Sequence, residues 1–324
     1  MRFKEPLQVK GLTLRNRIVM PPMATNKAVD GKPAAELIAY YRQRARGTAL
    51  VIVEHAYILP EGMAHAGQLS MADDDVIEAY RPLTAAAHEE GALIFAQINH
   101  AGARAQDTGM PAKGPSAVSV RGSKLAQEMT KDDICQVIRA FAEAAIRVKK
   151  AGFDGVEIHS AHGYLLNQFY SPLVNQRQDA YAVQPMENRI RLHLAVIRAV
   201  REAVGPDYPI AIRFGGCDYT EGGSQLADAP VAAMAFENAG VDLIDLSGGI
   251  LGYQRPDHKE PGYFKDMSLA VKEAVSVPVI LTGGVTAAAE MEALLDERAA
   301  DLIGVGRALL QDGDWSVKAL TGRA

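Results

Sequence analysis

The chain has 324 residues, about two average domains' worth, and its 48% hydrophobic and 23% charged content excludes an intrinsically disordered protein. Its 34 basic and 39 acidic residues give a formal net charge of −5 with no basic block, which argues against nucleic acid and anionic membrane as partners. Two cysteines, Cys135 and Cys217, exclude a disulfide scaffold, a four-cysteine zinc site and a four-cysteine iron–sulfur cluster.

The N-terminal Met1-Arg2-Phe3-Lys4-Glu5-Pro6 lacks the apolar core of a signal peptide. No run approaches the roughly 18 apolar residues of a membrane span, since Glu54 interrupts even the stretch from Ala49 to Val53. A cytoplasmic protein is expected.

Leu7–Val9 and Leu12–Leu14, turning at Lys10-Gly11, predict a hairpin at the bottom of the fold. Apolar segments rich in Val and Ile then recur at 17–23, 49–57, 93–100, 155–161, 210–216, 243–249, 278–284 and 302–306. Their continuous apolarity predicts strands buried on both faces, as in a parallel sheet. Helical spacing lies between them. Residues 132–150 carry Ile134, Val137, Ile138, Phe141, Ala145 and Val148, and residues 186–204 carry Ile190, Leu194, Ile197 and Val200. Gly91, Gly152, Gly205 and Gly240 stand where helices should end.

Eight strands, each followed by a helix, predict an α/β fold of the (β/α)8 TIM-barrel type, one domain over residues 1–324. An open sheet is disfavoured, because its edges would be the apolar first and last segments and no dinucleotide fingerprint follows the first. The stretch 101–130 after the third strand is too long for an ordinary connection. It is either a substrate lid or an insertion without function.

Functional residues of a barrel gather at the C-terminal ends of its strands. Gly283-Gly284 and Gly304-Val305-Gly306-Arg307 there suit a phosphate, since glycines let backbone N–H groups approach the oxygens and Arg307 adds a charge-assisted bond. Tight turns without a ligand are the alternative, and Leu309 in place of a third glycine excludes a dinucleotide fingerprint. His159 and His162 point into the mouth together, as donors to a substrate oxygen or as metal ligands. Metal is disfavoured, because the mouth offers mainly Glu54 as a further ligand.

Tyr164 is either a proton donor or a packing residue opening the next helix. Arg213 inside the mouth requires an anionic partner, a cofactor group or Glu54. No lysine ends the fifth, sixth or seventh strand, which argues against a Schiff-base aldolase. Gln97 suits the edge of a heterocycle, and Met23 gives an apolar floor. A phosphate, a flat hydrogen-bonding ring and an apolar floor together point to a mononucleotide-like cofactor.

Arg15-Asn16-Arg17-Ile18-Val19-Met20-Pro21-Pro22-Met23 and His159-Ser160-Ala161-His162-Gly163-Tyr164-Leu165-Leu166-Asn167-Gln168-Phe169 resemble the opening and the catalytic segment of the Old Yellow Enzyme family. Ser171-Pro172-Leu173, Asn175-Gln176-Arg177, Tyr181, Glu187-Asn188-Arg189, Arg213, Asp218-Tyr219 and Gly304 to Arg307 follow in the family's order, over nearly the whole chain. The resemblance implies non-covalent FMN and NADH or NADPH as reductant. Pro22, Met23 and Ala24 would line the flavin, Gln97 would meet its pyrimidine edge and Arg213 would stand near N1. Gly248 would also lie against the cofactor, and Gly283, Gly284, Gly304, Gly306 and Arg307 would hold its phosphate. His159 and His162 would bind a substrate carbonyl, Asn26 would contact substrate, and Tyr164 would protonate the α-carbon.

Ala24 stands where relatives often carry Cys or Thr, Asn26 where one subgroup has tyrosine, and His55 where a small residue is usual. The segment 181–186 departs from the family's glycine-rich version. The expected activity is an FMN-dependent ene-reductase of α,β-unsaturated carbonyl compounds. Alternatives are a 2,4-dienoyl-CoA-reductase-like enzyme lacking the iron–sulfur part, a non-redox phosphate-binding lyase or epimerase, and a metal-dependent hydrolase. Arg323 either reaches a neighbouring subunit of a homo-oligomer or stays solvated.

Overall fold

Eight parallel strands close on themselves in a computed structural model that describes residues 1–106, 108–255 and 257–323. They are β1 (Ile18–Met20), β2 (Leu50–Tyr57), β3 (Leu93–Asn99), β4 (Gly155–Ser160), β5 (Ile210–Phe214), β6 (Leu243–Leu246), β7 (Val279–Thr282) and β8 (Leu302–Gly304). Each is followed by at least one helix, and Ile303 on β8 pairs with Ile18 on β1 to close the ring. This is the (β/α)8 barrel expected from the sequence. All but β2 end earlier than the apolar segments do, because the glycine and polar residues at their C-terminal ends leave the ladder.

Strand alternation sorts the side chains into layers. Ile158 on β4, Ile212 on β5, Ile244 on β6 and Leu281 on β7 pack outward, in the cluster that includes the helices. The inward residues nearest the strand N-termini are apolar: Leu50, Ile52, Phe95, Ala211, Leu243, Ile280 and Leu302 share a second cluster. Phe95 fills the space opposite Gly155, where any Cβ would come within 2.4 Å of its ring. One step further along, the inward residues turn polar: Gln97, Glu157, Arg213, Asp245 and Thr282. The barrel is thus oily at the bottom and polar beneath its mouth.

The hairpin of Leu7–Val9 and Leu12–Leu14 seals the oily end, with Val9 and Leu14 joining the lower cluster. Burying one such leucine stabilises by roughly 1.5–3 kcal/mol. The helix Lys131–Lys150 begins at a capping box, in which Thr130 accepts from the Asp133 N–H while the Asp133 carboxylate accepts from Thr130. The single helix expected over 186–204 is instead two, Met186–Arg189 and Arg191–Val204, parted at Ile190. Buried Arg189 turns in at the break, donating to the Val183 carbonyl at 2.8 Å and to Asp228 at 2.8 Å.

The long connection after β3 forms its own small core, in which Ala103, Val120 and Ala126 pack with Val174 and Ile250. That core anchors it to the loops following β4 and β6. Among the described residues, no helix is long and apolar enough to cross a membrane.

Candidate active site

A cavity of about 420 Å³ opens where the strands end. Pro22, Met23 and Ala24 after β1, Gln97 on β3 and Arg213 on β5 line it. So do Gly283, Gly284, Gly304, Gly306 and Arg307 from β7, β8 and the turns beyond, and His159, His162 and Tyr164 from β4 and its following turn. Two expected residues are not brought to it. Asn26 is exposed, its carbonyl oxygen against Gly67. Gly248 is buried, and its carbonyl accepts from the His162 N–H at 3.2 Å, so it supports the histidine rather than the cavity wall.

At one end Gly284 adopts φ +78°, a conformation open to glycine. Beside it Arg307 donates to the Tyr263 hydroxyl at 2.6 Å, a neutral partner that leaves the guanidinium charge uncompensated. A phosphate would complete this end.

The floor is a buried polar ladder. Gln97 Nε2 donates to Glu157 Oε1 at 2.8 Å. Arg213 Nη1 donates to the Pro22 carbonyl at 3.1 Å, and its Nε lies 3.3 Å from Asp245 Oδ2. Asp245 Oδ1 in turn accepts from Thr282 Oγ1 at 3.0 Å. The Glu54 expected as a partner of Arg213 is engaged elsewhere, accepting from the Thr25 N–H and hydroxyl at 2.6 Å each, so Asp245 takes that role.

Burial raises the pKa of both Glu157 and Asp245. The Asp245 charge adds to the rise at Glu157, while Arg213 opposes it at both. With the Arg213 guanidinium against Asp245 and only the Gln97 amide on Glu157, a proton held by the pair is favoured on Glu157. Arg213 Nε and His159 Nδ1 are buried without a hydrogen-bond partner among the described residues. The orphaned His159 nitrogen over a flat polar floor, with a cationic glycine-rich end, fits FMN.

The opposite wall carries three imidazoles and a phenol. The His159 ring lies 5.2 Å from that of His162 and 5.1 Å from that of Tyr164, both edge to face. His162 takes φ +60°, and its Nε2 lies 2.7 Å from the Ser247 hydroxyl. Arg104 donates to the His162 carbonyl at 2.8 Å and lies 4.7 Å over the Tyr164 ring. Burial holds both histidines well below pKa 6.5, and Arg213 pushes each in the same direction. Both rings are neutral near pH 7, each with one N–H donor.

His55 lines the same cavity from a bulge in β2, where pairing with β3 slips between Val53 and Ala56. Its Nδ1 lies 2.7 Å from Gln68 Nε2 and 3.3 Å from Asn99 Nδ2. The Gln68 amide has a fixed orientation, because its oxygen accepts from the Ala64 N–H at 2.7 Å and its nitrogen donates to the His55 carbonyl at 3.1 Å. His55 Nδ1 therefore accepts and the proton sits on Nε2. Burial pushes this imidazole down to a pKa of about 3.

Sequence reasoning missed Glu157 and Asp245, and placed Ser247 at a strand end without giving it a role. Their signal is an acidic or hydroxyl residue inside an otherwise apolar parallel strand or at its end, where a buried charge needs a partner. Among the described residues, no group of three or more His, Cys, Asp or Glu side chains is arranged to hold a metal ion.

Residues 3–324 match the model of the NADH:flavin oxidoreductase / NADH oxidase family. The chain is 40% identical to an NADH oxidase of Thermoanaerobacter brockii, over 98% of its own length and 50% of that relative's, so it spans about half of that protein. It is 38% identical to an NADPH dehydrogenase of Halalkalibacterium halodurans, over 96% of this chain and 91% of the other. The solved structure of the old yellow enzyme homologue of Zymomonas mobilis superimposes with a TM-score of 0.88 at 28% identity, covering 100% of this chain and 94% of that one. The barrel, its polar floor and its cationic glycine-rich end agree with these matches: the chain belongs to the NADH:flavin oxidoreductase / NADH oxidase family, the Old Yellow Enzyme relatives.

Proposed function

We propose that residues 1–324 act as one FMN-binding domain that reduces the carbon–carbon double bond of α,β-unsaturated carbonyl compounds. The observation that carries this reading is the meeting of His159, His162 and Tyr164 on one wall of the cavity. FMN held by Gln97, Arg213, Arg307 and the glycines would supply the two-electron hydride chemistry between NAD(P)H and the substrate's β-carbon.

The protein's own part is alignment and proton handling. His159 and His162 are neutral donors in a water-poor wall, suited to a carbonyl oxygen on which negative charge grows during reduction. Their pKa values, depressed by burial, keep them neutral, so neither gives up a proton outright. Tyr164, one ring away from His159, donates its hydroxyl proton to the α-carbon and regains one from solvent. Gln97 and Arg213 hold the cofactor ring, while Arg307 and the glycines hold its phosphate.

The test separates the two half-reactions. Tyr164→Phe should slow reoxidation of the reduced enzyme by an enone by about 100-fold, as loss of a general acid does. Bleaching of the flavin by NADPH or NADH should keep its rate. Equal losses in both would assign Tyr164 to cofactor binding, and failure of every enone to reoxidise the wild-type enzyme would overturn the proposed reaction.

A further inference from the structure

Four arginines line the cavity, Arg104, Arg121, Arg213 and Arg307, yet no carboxylate does among the described residues. The chain as a whole is acidic, so this is a local concentration of positive charge. Two of the four are accounted for. Arg213 lies against Asp245 below the floor, and Arg307 stands at the phosphate end. Arg104 and Arg121 come from the long connection after β3, and neither has a carboxylate within 4.0 Å among the described residues.

Their placement is specified. Arg104 is half-buried, tied to the His162 carbonyl at 2.8 Å and stacked over the Tyr164 ring. Arg121 adopts φ +49°, a left-handed conformation that costs a non-glycine residue roughly 1–3 kcal/mol. It leans across the mouth until its Nη1 is 2.7 Å from where a Cβ on Gly252 would stand. Burial and the nearby Arg104 charge lower its pKa, so the two cations repel each other. Like charges gathered beside a reaction site, with no carboxylate between them among the described residues, are explained by an anion that joins them.

We propose that Arg104 and Arg121 form a second anion site at the mouth, and that a ligand reduced or oxidised here carries a carboxylate or phosphate beyond its reacting group. Resting on the ene-reductase reading, this names the substrate class as anionic unsaturated carbonyl compounds. The 2′-phosphate of NADPH is the other source of the same chemistry.

The test uses the FMN-loaded enzyme with 4-(3-oxobut-1-enyl)benzoate and its methyl ester, an enone pair whose charge difference lies across a ring from the reacting double bond. The acid should be preferred at least 10-fold in kcat/KM at low ionic strength, mainly through KM, and the preference should shrink with salt. Arg121→Gln and Arg104→Gln should each cut that ratio at least fivefold, and Arg121→Lys should restore most of it. If the variants instead raise KM for NADPH and not for NADH, the anion site stands and its ligand is the nucleotide phosphate. Equal use of acid and ester together with equal use of NADH and NADPH overturns the proposal, as does an equal loss on both enones in the variants. If no enone is reduced, the ene-reductase reading falls but the anion site is still decided. Saturated 4-(3-oxobutyl)benzoate should then perturb the bound flavin spectrum at concentrations at least 10-fold below its methyl ester, and equal affinity overturns the site.

Discussion

Glu157 lies inside the barrel with one carboxyl oxygen accepting from Gln97 and the other without a partner. An ionised group in that position would leave charge uncompensated, which burial makes expensive. Its pKa is raised by burial first and by Asp245 second, so the neutral acid is the resident form. Glu157→Gln, which keeps the shape and the acceptor, should therefore leave stability within about 0.5 kcal/mol, as for substitutions that create no new defect. Glu157→Leu should cost about 1–3 kcal/mol by stranding the Gln97 amide. Urea unfolding at pH 7 checks both. A loss of about 3–5 kcal/mol in Glu157→Gln would mean that the carboxylate is charged and paired with Arg213.

At this scale the sequence was partly legible. Gln97, Arg213, His159, His162 and Tyr164 stand at strand ends, where barrel geometry brings them together whatever lies between. The partners that orient them were not legible. Asp245 rather than Glu54 faces Arg213 because inward positions depend on strand register, which composition does not report. The fixed tautomer of His55 depends on Gln68, thirteen residues on in a loop, and on Asn99 across the ladder.

At the scale of elements, the two ends of the barrel divide the labour. The hairpin and the lower strand residues form one apolar plug containing Leu14, Leu243 and Leu302, none of whose members lines the cavity. Leu14→Ala should lower stability by about 2–5 kcal/mol, the range for a buried leucine that leaves a cavity. FMN affinity, measured by fluorescence on release, should be unchanged when compared well below the unfolding temperature. A parallel loss of FMN affinity would show that the plug transmits strain to the mouth. The strands and hairpin were readable because apolar clustering and turn residues act locally. The break at Ile190 was not, because the apolar spacing of 186–204 continues through it and the cause is a tertiary bond, Arg189 to Asp228. The arginines of the long connection were equally silent in sequence, since only folding brings 104 and 121 over the mouth.

At the scale of the whole molecule, buried imidazoles set the response to acid. Five of the eight histidines have pKa values depressed chiefly by burial, with His55 and His193 pushed to about 3 and His100 to about 4. Below pH 6.5 the unfolded chain binds protons at these sites that the folded chain refuses. Their contribution is thus fully present above 6.5 and is lost as pH falls towards the folded values. Three carboxyls, Glu54, Glu157 and Asp245, are shifted the other way, which favours the folded state as pH falls. The two groups oppose each other, and the imidazoles outweigh the carboxyls once pH lies well below 6.5, where up to five protons favour the unfolded chain against up to three that favour the fold. The urea midpoint, at fixed excess FMN, should therefore fall from pH 6.0 to 5.0. His193 offers the control, because it lies outside the cavity lining, stacked on Phe236 and bonded to the Ser160 hydroxyl at 2.9 Å. His193→Gln should flatten the slope by up to one proton, about 1.4 kcal/mol per pH unit. A midpoint that stays level or rises on acidification would mean that these imidazoles are already protonated in the fold, and with it the neutral-donor role of His159 and His162 would fall.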